Sequence, residues 1–377
     1  MSKMFCAAPW RGLHIQVDGG ISTCCAGKIK FGNINSDSIE SALSHPKLKE
    51  IRKSIIAGDL PSEYCEGCKN AIQKNIGCER DWHNSCSKDF DINNADLEYQ
   101  YPVIFDARWN NTCNSTCVYC SPTFSSKWAS LLQVGAEKIE SIAKNKITNF
   151  FTNNSNHLKS VAMVGGEPLL IKENENLLEI IPKDVPIDII TNFSIDIEKS
   201  KVFEKLCERK KVNWHISLEN IYDKYEYVRQ GSTWNQLEKN LKVLGKLIRN
   251  PPEKNDHEIS FLSLYHILNC LDLCALHEFS KEAITWFPYK FKNQTNKNIE
   301  VVWQNFHKPY ELCVDNFGID VVSLAKDEIK QFLELDVNNQ QKIFFQKQYQ
   351  NFESIKDTTT FTLKKQVMQK PIKKAPN

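Results

Sequence analysis

From Pro102 onward the sequence alternates between runs that read as strands and runs that read as helices, and it does so for about 190 residues. Strand character falls at 103–108, 160–164, 187–191, 213–217, 258–264 and 283–287. Helical periodicity lies between them, for example at 173–181, 199–209 and 234–248. Parallel strands need a crossover of a dozen or more residues, so this alternation predicts a parallel sheet with helices as the connections. The expected fold is α/β, a partial (β/α)6 TIM-like barrel over residues 100–292. A small cysteine-rich α+β domain at 1–95 precedes it, and a C-terminal extension with a basic tail follows at 293–377.

The N-terminal unit has its own local signals. Residues 13–17 alternate apolar and polar, and Asp18-Gly19-Gly20 is a turn signal before 21–25, which predicts a β-hairpin. Residues 38–57 read as two helical pieces, one burying Ile39, Ala42 and Leu43 and the other Leu48, Ile51 and Ile55. Pro46 suits the first turn of the second piece, where a missing N–H costs nothing. The polar, acidic stretch 87–101 reads as a linker. In the last fifteen residues, Lys364, Lys365, Lys370, Lys373 and Lys374 read as a solvated tail.

The 48 basic and 46 acidic residues nearly cancel, which argues against a nucleic-acid or anionic-membrane partner. The N-terminus lacks an apolar signal region and no later stretch has the length of a membrane span, so a cytoplasmic location is expected. In that setting fourteen cysteines point to metal rather than disulfides, and ten of them fall within the first 120 residues.

Cys113, Cys117 and Cys120, in C-N-S-T-C-V-Y-C, follow directly on the first strand of the barrel pattern. That is where parallel α/β sheets place their active sites. Three thiolates hold three irons of a cubane [4Fe–4S] cluster and leave the fourth open to a ligand. The next strand runs into Gly165-Gly166-Glu167-Pro168, in which two glycines let backbone approach a ligand and Glu167 offers a carboxylate to an ammonium group.

These two motifs, one βα unit apart, resemble those of the radical S-adenosylmethionine (SAM) enzymes. Cys113, Cys117 and Cys120 match that superfamily's cluster motif, Tyr119 matches the aromatic before its last cysteine, and Gly165, Gly166, Glu167 and Pro168 match the segment that meets the SAM amino group. Asn192, Ser217, Glu219 and Arg229 resemble positions that contact the SAM ribose or carboxylate, although strand-end capping explains Asn192 and Ser217 equally well. The resemblance implies that SAM binds the open iron and is reductively cleaved to methionine and a 5′-deoxyadenosyl radical, which takes hydrogen from a substrate. An electron donor such as a flavodoxin or ferredoxin is implied with it.

Cys6, Cys24 and the pair Cys65-x2-Cys68 supply four more thiolates, enough for a second cluster or a structural zinc. Cys25 adjoins Cys24 on a strand, where neighbours face opposite ways, and the spacing favours Cys24. The arrangement resembles a twitch domain, an abbreviated SPASM domain with one auxiliary [4Fe–4S] cluster, here placed before the barrel. Cys78 and Cys86 depart from full SPASM spacing. Relatives of this kind often modify peptides or proteins, so a peptide or protein substrate is the expectation. The alternative is a non-catalytic zinc or iron–sulfur module that binds protein or RNA. Cys207, Cys270, Cys274 and Cys313 read as buried thiols, and His14, His215 and His266 as structural histidines within apolar runs.

Overall fold

A computed structural model describes residues 4–73, 77–98, 100–135, 138–249, 256–287, 299–305, 309–317 and 319–353. The chain opens with helix α1 (Ala8–Arg11) and the hairpin of β1 (Gly12–Ile15) and β2 (Gly20–Ser22). Gly19, at φ +85°, makes the turn between them in a conformation that suits glycine. A short β3 (Gly32–Asn33) pairs with β2. Helix α2 (Ile39–Leu43) begins where the Ser38 side chain accepts from the Ser41 N–H, and α3 (Pro46–Ile56) has its proline in the first turn. The six apolar positions expected to face inward from these two helices are all buried. Helices α4 (Ser62–Gln73) and α5 (Glu79–Ser85) complete the unit.

The sheet strands β4 (Ile104–Ala107), β6 (Ser160–Met163), β7 (Ile187–Thr191), β8 (Lys211–Ser217), β10 (Asp256–Tyr265) and β11 (Glu300–Asn305) lie side by side in chain order, each parallel to the next. Two further strands, β5 (Thr116–Cys117) and β9 (Arg229–Gln230), form a separate antiparallel ribbon. The crossovers carry α6 (Ser126–Leu131), α7 (Ser141–Asn154), α8 (Lys172–Ile180), α9 (Lys201–Cys207), α10 (Tyr222–Val228), α11 (Trp234–Arg249) and α12 (Leu273–Ala283). The sheet ends at β11 on one side and β3 on the other, so the six βα units make an open, partial barrel.

Two features depart from the sequence-based expectation. The hairpin is not confined to a separate unit: β1 pairs in parallel with β4, from Gly12 opposite Ile104 to Ile15 opposite Ala107. It thereby covers the edge that β4 would otherwise expose, and buries Leu13 and Ile15. Residues 283–287, expected as the sixth strand, instead form the end of α12 and a 3-10 turn, Ile284–Trp286. The sixth parallel strand is β11. After it, α13 (Ile319–Glu334) and α14 (Asn339–Glu353) pack together, and the Gln341 side chain donates to the Val301 carbonyl at 2.9 Å. The lysine-rich tail lies outside the described residues.

The two faces of the barrel sheet differ in character. Phe105, Trp214 and Phe261 point to the helices, against Phe151, Phe203 and Phe279 respectively. The opposite face carries Asp106, Asp188, His215 and Ser260, so it is polar where a closed core would be apolar. No helix among the described residues is long and apolar enough to cross a membrane.

Candidate active site

The loop between β4 and α6 carries Cys113, Cys117 and Cys120, and backbone and hydroxyl bonds fix its shape. The Cys113 N–H donates to Ser126 Oγ at 3.1 Å, and the Cys120 N–H to the Cys117 carbonyl at 3.0 Å. Cys117 lies in the ribbon opposite Arg229, and its carbonyl accepts from Trp128 Nε1 at 2.9 Å. Ser125 Oγ, the cap of α6, donates to the Ser115 carbonyl at 2.7 Å. The three thiols are free and close enough for their charges to interact.

Burial raises all three thiols, Cys117 to about 12, and Arg229 pulls each of them back. Arg229 is thus the shared cation of the loop. Its Nε and Nη2 donate to Glu219 at 2.7 and 2.8 Å, its Nη1 lies 3.8 Å from Cys117 Sγ, and its guanidinium sits 5.7 Å from the centre of the Tyr119 ring. Tyr119 also packs against His266 at 5.6 Å. Glu219, Arg229 and Tyr119 therefore act on one another as well as on the loop.

The turn after β6 is threaded closely under the cysteine loop. The Glu167 N–H donates to the Thr112 carbonyl at 2.7 Å, and a Cβ on Gly166 would lie 2.1 Å from that same oxygen. Gly165, at φ +122°, tolerates a backbone that other residues rarely adopt. The Glu167 carboxylate does not face open space. It is fully buried and accepts from Thr191 Oγ1 (2.7 Å), the Asn192 N–H (2.8 Å) and the Leu169 N–H (3.1 Å). Burial moves it up to about 7 even against these three donors. Gly165 and Gly166 are the partly exposed portion of the motif, Pro168 being buried too.

Asn192, at the end of β7, reaches back to the same loop: its Nδ2 donates to Asn114 Oδ1 at 2.8 Å and lies 3.9 Å from Cys113 Sγ. Ser217 ends β8, half-buried in the alternation that also exposes His215 and Asn213. Sequence reasoning missed the hydroxyl chain that ties these elements together, Ser115 to Ser232 at 2.8 Å and Ser232 to Ser194 at 2.9 Å. It also missed the row along the polar face. There Asp188 accepts from Ser160 Oγ (2.9 Å) and Asn213 Nδ2 (2.7 Å), and His215 Nδ1 meets Ser260 Oγ at 2.8 Å. Strand alternation placed these residues on one face, but gave no sign that they bond to one another. His14 is 2.9 Å from Asp106 on the same face, which Arg108 also grips.

In the N-terminal unit Cys6, Cys65, Cys68 and Cys78 are electrostatic neighbours. Cys68 and Cys78 are in hydrogen-bond contact, and Cys6 interacts with Cys65 and Cys78. Cys24 instead faces Cys25, whose thiol meets Glu79. Cys86 lies near Ser160 and Asp188. Among the described residues no three His, Cys, Asp or Glu side chains converge tightly enough for a single metal ion. A cubane presents its irons at four separate corners, so thiols gathered around a space fit it without meeting at one point. The three loop thiols interact electrostatically with one another, and so do thiols of the N-terminal group, as ligands of one cluster would.

A model of the radical SAM superfamily matches residues 109–256, and one of the iron–sulfur cluster-binding SPASM domain matches residues 6–69. The chain is a radical SAM enzyme. Its cofactors are accordingly a SAM-binding [4Fe–4S] cluster, SAM and an auxiliary iron–sulfur cluster, which excludes the non-catalytic module. No curated protein matches the sequence. Among solved structures, TYW1 with a lysine–pyruvate adduct bound is 14% identical, with 62% of this chain and 73% of that one covered and a TM-score of 0.37. SuiB of Streptococcus suis is 13% identical over 78% of this chain and 60% of that one, with a TM-score of 0.42. SuiB bound to its precursor peptide SuiA is 14% identical over 81% and 54%, at 0.40. The radical SAM enzyme thus spans little more than half the length of the SuiB chains.

Proposed function

We propose that this radical SAM enzyme removes hydrogen from a peptide or protein substrate, with the auxiliary cluster assisting. When bound, the SAM-binding cluster and SAM supply the oxidising radical. The chain's own residues hold the reactants and keep solvent away from them. Cys113, Cys117 and Cys120 are the cluster ligands in this reading, and Gly165 and Gly166 offer backbone to SAM. Asn192 and Arg229 secure the loop between them, and Ser217 and Glu219 stand at the strand end beside it. The observation that carries the reading is this convergence of the cysteine loop, the 165–168 turn and the ends of β7 and β8.

A peptide is favoured over a small molecule by the surface beside the ribbon. A cavity of about 450 Å³ lined by Asp223, Lys224, Tyr227, Val228 and Leu268 adjoins the ribbon, where the Val118 N–H donates to the Val228 carbonyl. Exposed Tyr222 and Tyr227 beside it offer the large amphipathic surfaces that peptide-binding sites use. The polar row of Asp188, His215 and Ser260 suits backbone amides. A reducing, cytoplasmic setting with a flavodoxin or ferredoxin as electron donor fits the same reading.

The test is anaerobic reconstitution with iron and sulfide, then measurement of 5′-deoxyadenosine with and without peptides encoded beside the gene. A peptide that stimulates 5′-deoxyadenosine formation and changes mass supports the proposal. Stimulation by a sugar or alcohol alone would replace the peptide with a small molecule.

A further inference from the structure

We infer that the auxiliary cluster takes Cys78 as its fourth thiolate, beside Cys6, Cys65 and Cys68, in place of Cys24. The inference rests on the presence of an auxiliary cluster but not on the identity of the substrate. Cys78 lies outside the 6–69 segment that the SPASM model matches, and its distance from the other thiols in sequence gives no hint of the role.

Three observations place it there. The first is proximity: the Cys78 thiol pairs with that of Cys68, and the charges of Cys6 and Cys65 act on it. The second is the chain path. Asn84 of α5 accepts from the Ala7 N–H at 2.9 Å and donates to the Phe5 carbonyl at 3.1 Å, so it clamps the two residues flanking Cys6. Cys78 is the residue immediately before α5, and its N–H is held by Asp81 Oδ2 at 3.0 Å. The helix is thereby stapled across the start of the chain with Cys78 carried alongside it. The break in α4 at Cys65, φ −110° and ψ 18°, sets Cys65 off the regular helical path that carries Cys68. The third is charge. Four thiolates around a cubane leave net negative charge, and the Arg80 charge acts on both Cys6 and Cys78.

Cys24 is committed elsewhere. Ser22 Oγ donates to its carbonyl at 2.6 Å and accepts from its N–H at 3.2 Å, a tight local turn that sets its thiol against Cys25. The buried Tyr64 hydroxyl, 2.7 Å from Thr23 Oγ1 on the residue before Cys24, is held on the Cys24 side.

The experiment uses the full chain with Cys113, Cys117 and Cys120 all replaced by alanine, which removes the SAM-binding cluster and leaves the auxiliary one. After anaerobic reconstitution with iron and sulfide this background holds about four irons per chain. Cys78→Ala in it is expected to drop iron to about one or fewer, or to leave a three-iron cluster visible by electron paramagnetic resonance. Cys24→Ala is expected to keep about four. Cys78→Ser, which retains a ligating atom and the packing, is expected to keep iron but shift the spectrum of the reduced cluster. Full iron and an unaltered spectrum in both Cys78 variants overturn the inference, however Cys24→Ala behaves. The background cannot cleave SAM, so failure here leaves the proposed reaction untouched.

Discussion

Arg229 donates two parallel hydrogen bonds to Glu219, at 2.7 and 2.8 Å, with both side chains buried, while its third nitrogen lies 3.8 Å from Cys117 Sγ. The pair joins the end of β8 to the ribbon that holds the middle cysteine. Removing one partner of a buried ion pair leaves the other charge uncompensated, at a cost of roughly 3–5 kcal/mol. Glu219→Gln is therefore expected to lose about that much stability in urea denaturation. Arg229→Ala also withdraws the cation that all three loop thiols share, so its iron content after reconstitution should fall along with its stability.

The burial of Glu167 gives its carboxylate a positioning role. Its three accepted hydrogen bonds tie the turn after β6 to Thr191 and Asn192. In Glu167→Gln one oxygen becomes an NH2 group directed at a backbone N–H or a hydroxyl, which costs about 1–3 kcal/mol. The displaced backbone of Gly165 and Gly166 should raise the KM for SAM about tenfold, since small misplacements at a reacting centre have large effects. Rates of 5′-deoxyadenosine formation across SAM concentrations check this. An unchanged KM with unchanged stability would leave Glu167 without a positioning role.

Gly166 is where the turn after β6 and the cysteine loop come closest. An alanine Cβ there meets the Thr112 oxygen at 2.1 Å and two further backbone atoms at 2.7 Å. Those atoms belong to the two peptides just before Cys113, so either the turn or the loop must move. Gly166→Ala is expected to cost about 1–3 kcal/mol or more and to halve, at least, the iron bound by the loop. Iron analysis of the variant, with the auxiliary thiols intact as an internal reference, measures it.

Much of this arrangement was legible because it is local. The triplet, the Gly165-Gly166 turn and five of the six barrel strands are written in short-range alternation and turn residues. The exceptions are places where tertiary pairing decides. The stretch 283–287 is rich in β-branched and aromatic residues, yet it continues the helix before it, and Phe287 finds its burial without a strand. The pairing of β1 with β4 joins residues about ninety apart and has no sequence signature. The same holds for Cys78. Spacing pairs Cys6 with Cys24, whereas the clamp from Asn84 to Phe5 and Ala7 brings a later cysteine to the same place. Glu167 shows the converse: its motif was plain, but which way its side chain points depends on Thr191 and Asn192.

Buried histidines set the behaviour of the iron-free protein in acid. Burial depresses His83 and His266 to about 4, below the usual histidine value of 6.5. A group lowered in this way binds its proton more readily in the unfolded chain, so its contribution is fully present above pH 6.5 and is lost as pH falls towards 4. Each is worth about 3 kcal/mol over that interval. Glu167 works in the opposite sense: raised to about 7, it favours the folded state below pH 4.5 and loses that contribution as pH rises through 7. The cleanest measurement is thus a difference between two proteins. His83→Gln, followed by urea denaturation from pH 7 to pH 4, should lose less stability than the parent by about 3 kcal/mol, equivalent to one proton taken up on unfolding. Parallel curves for the two would mean that His83 titrates alike in the folded and the unfolded chain.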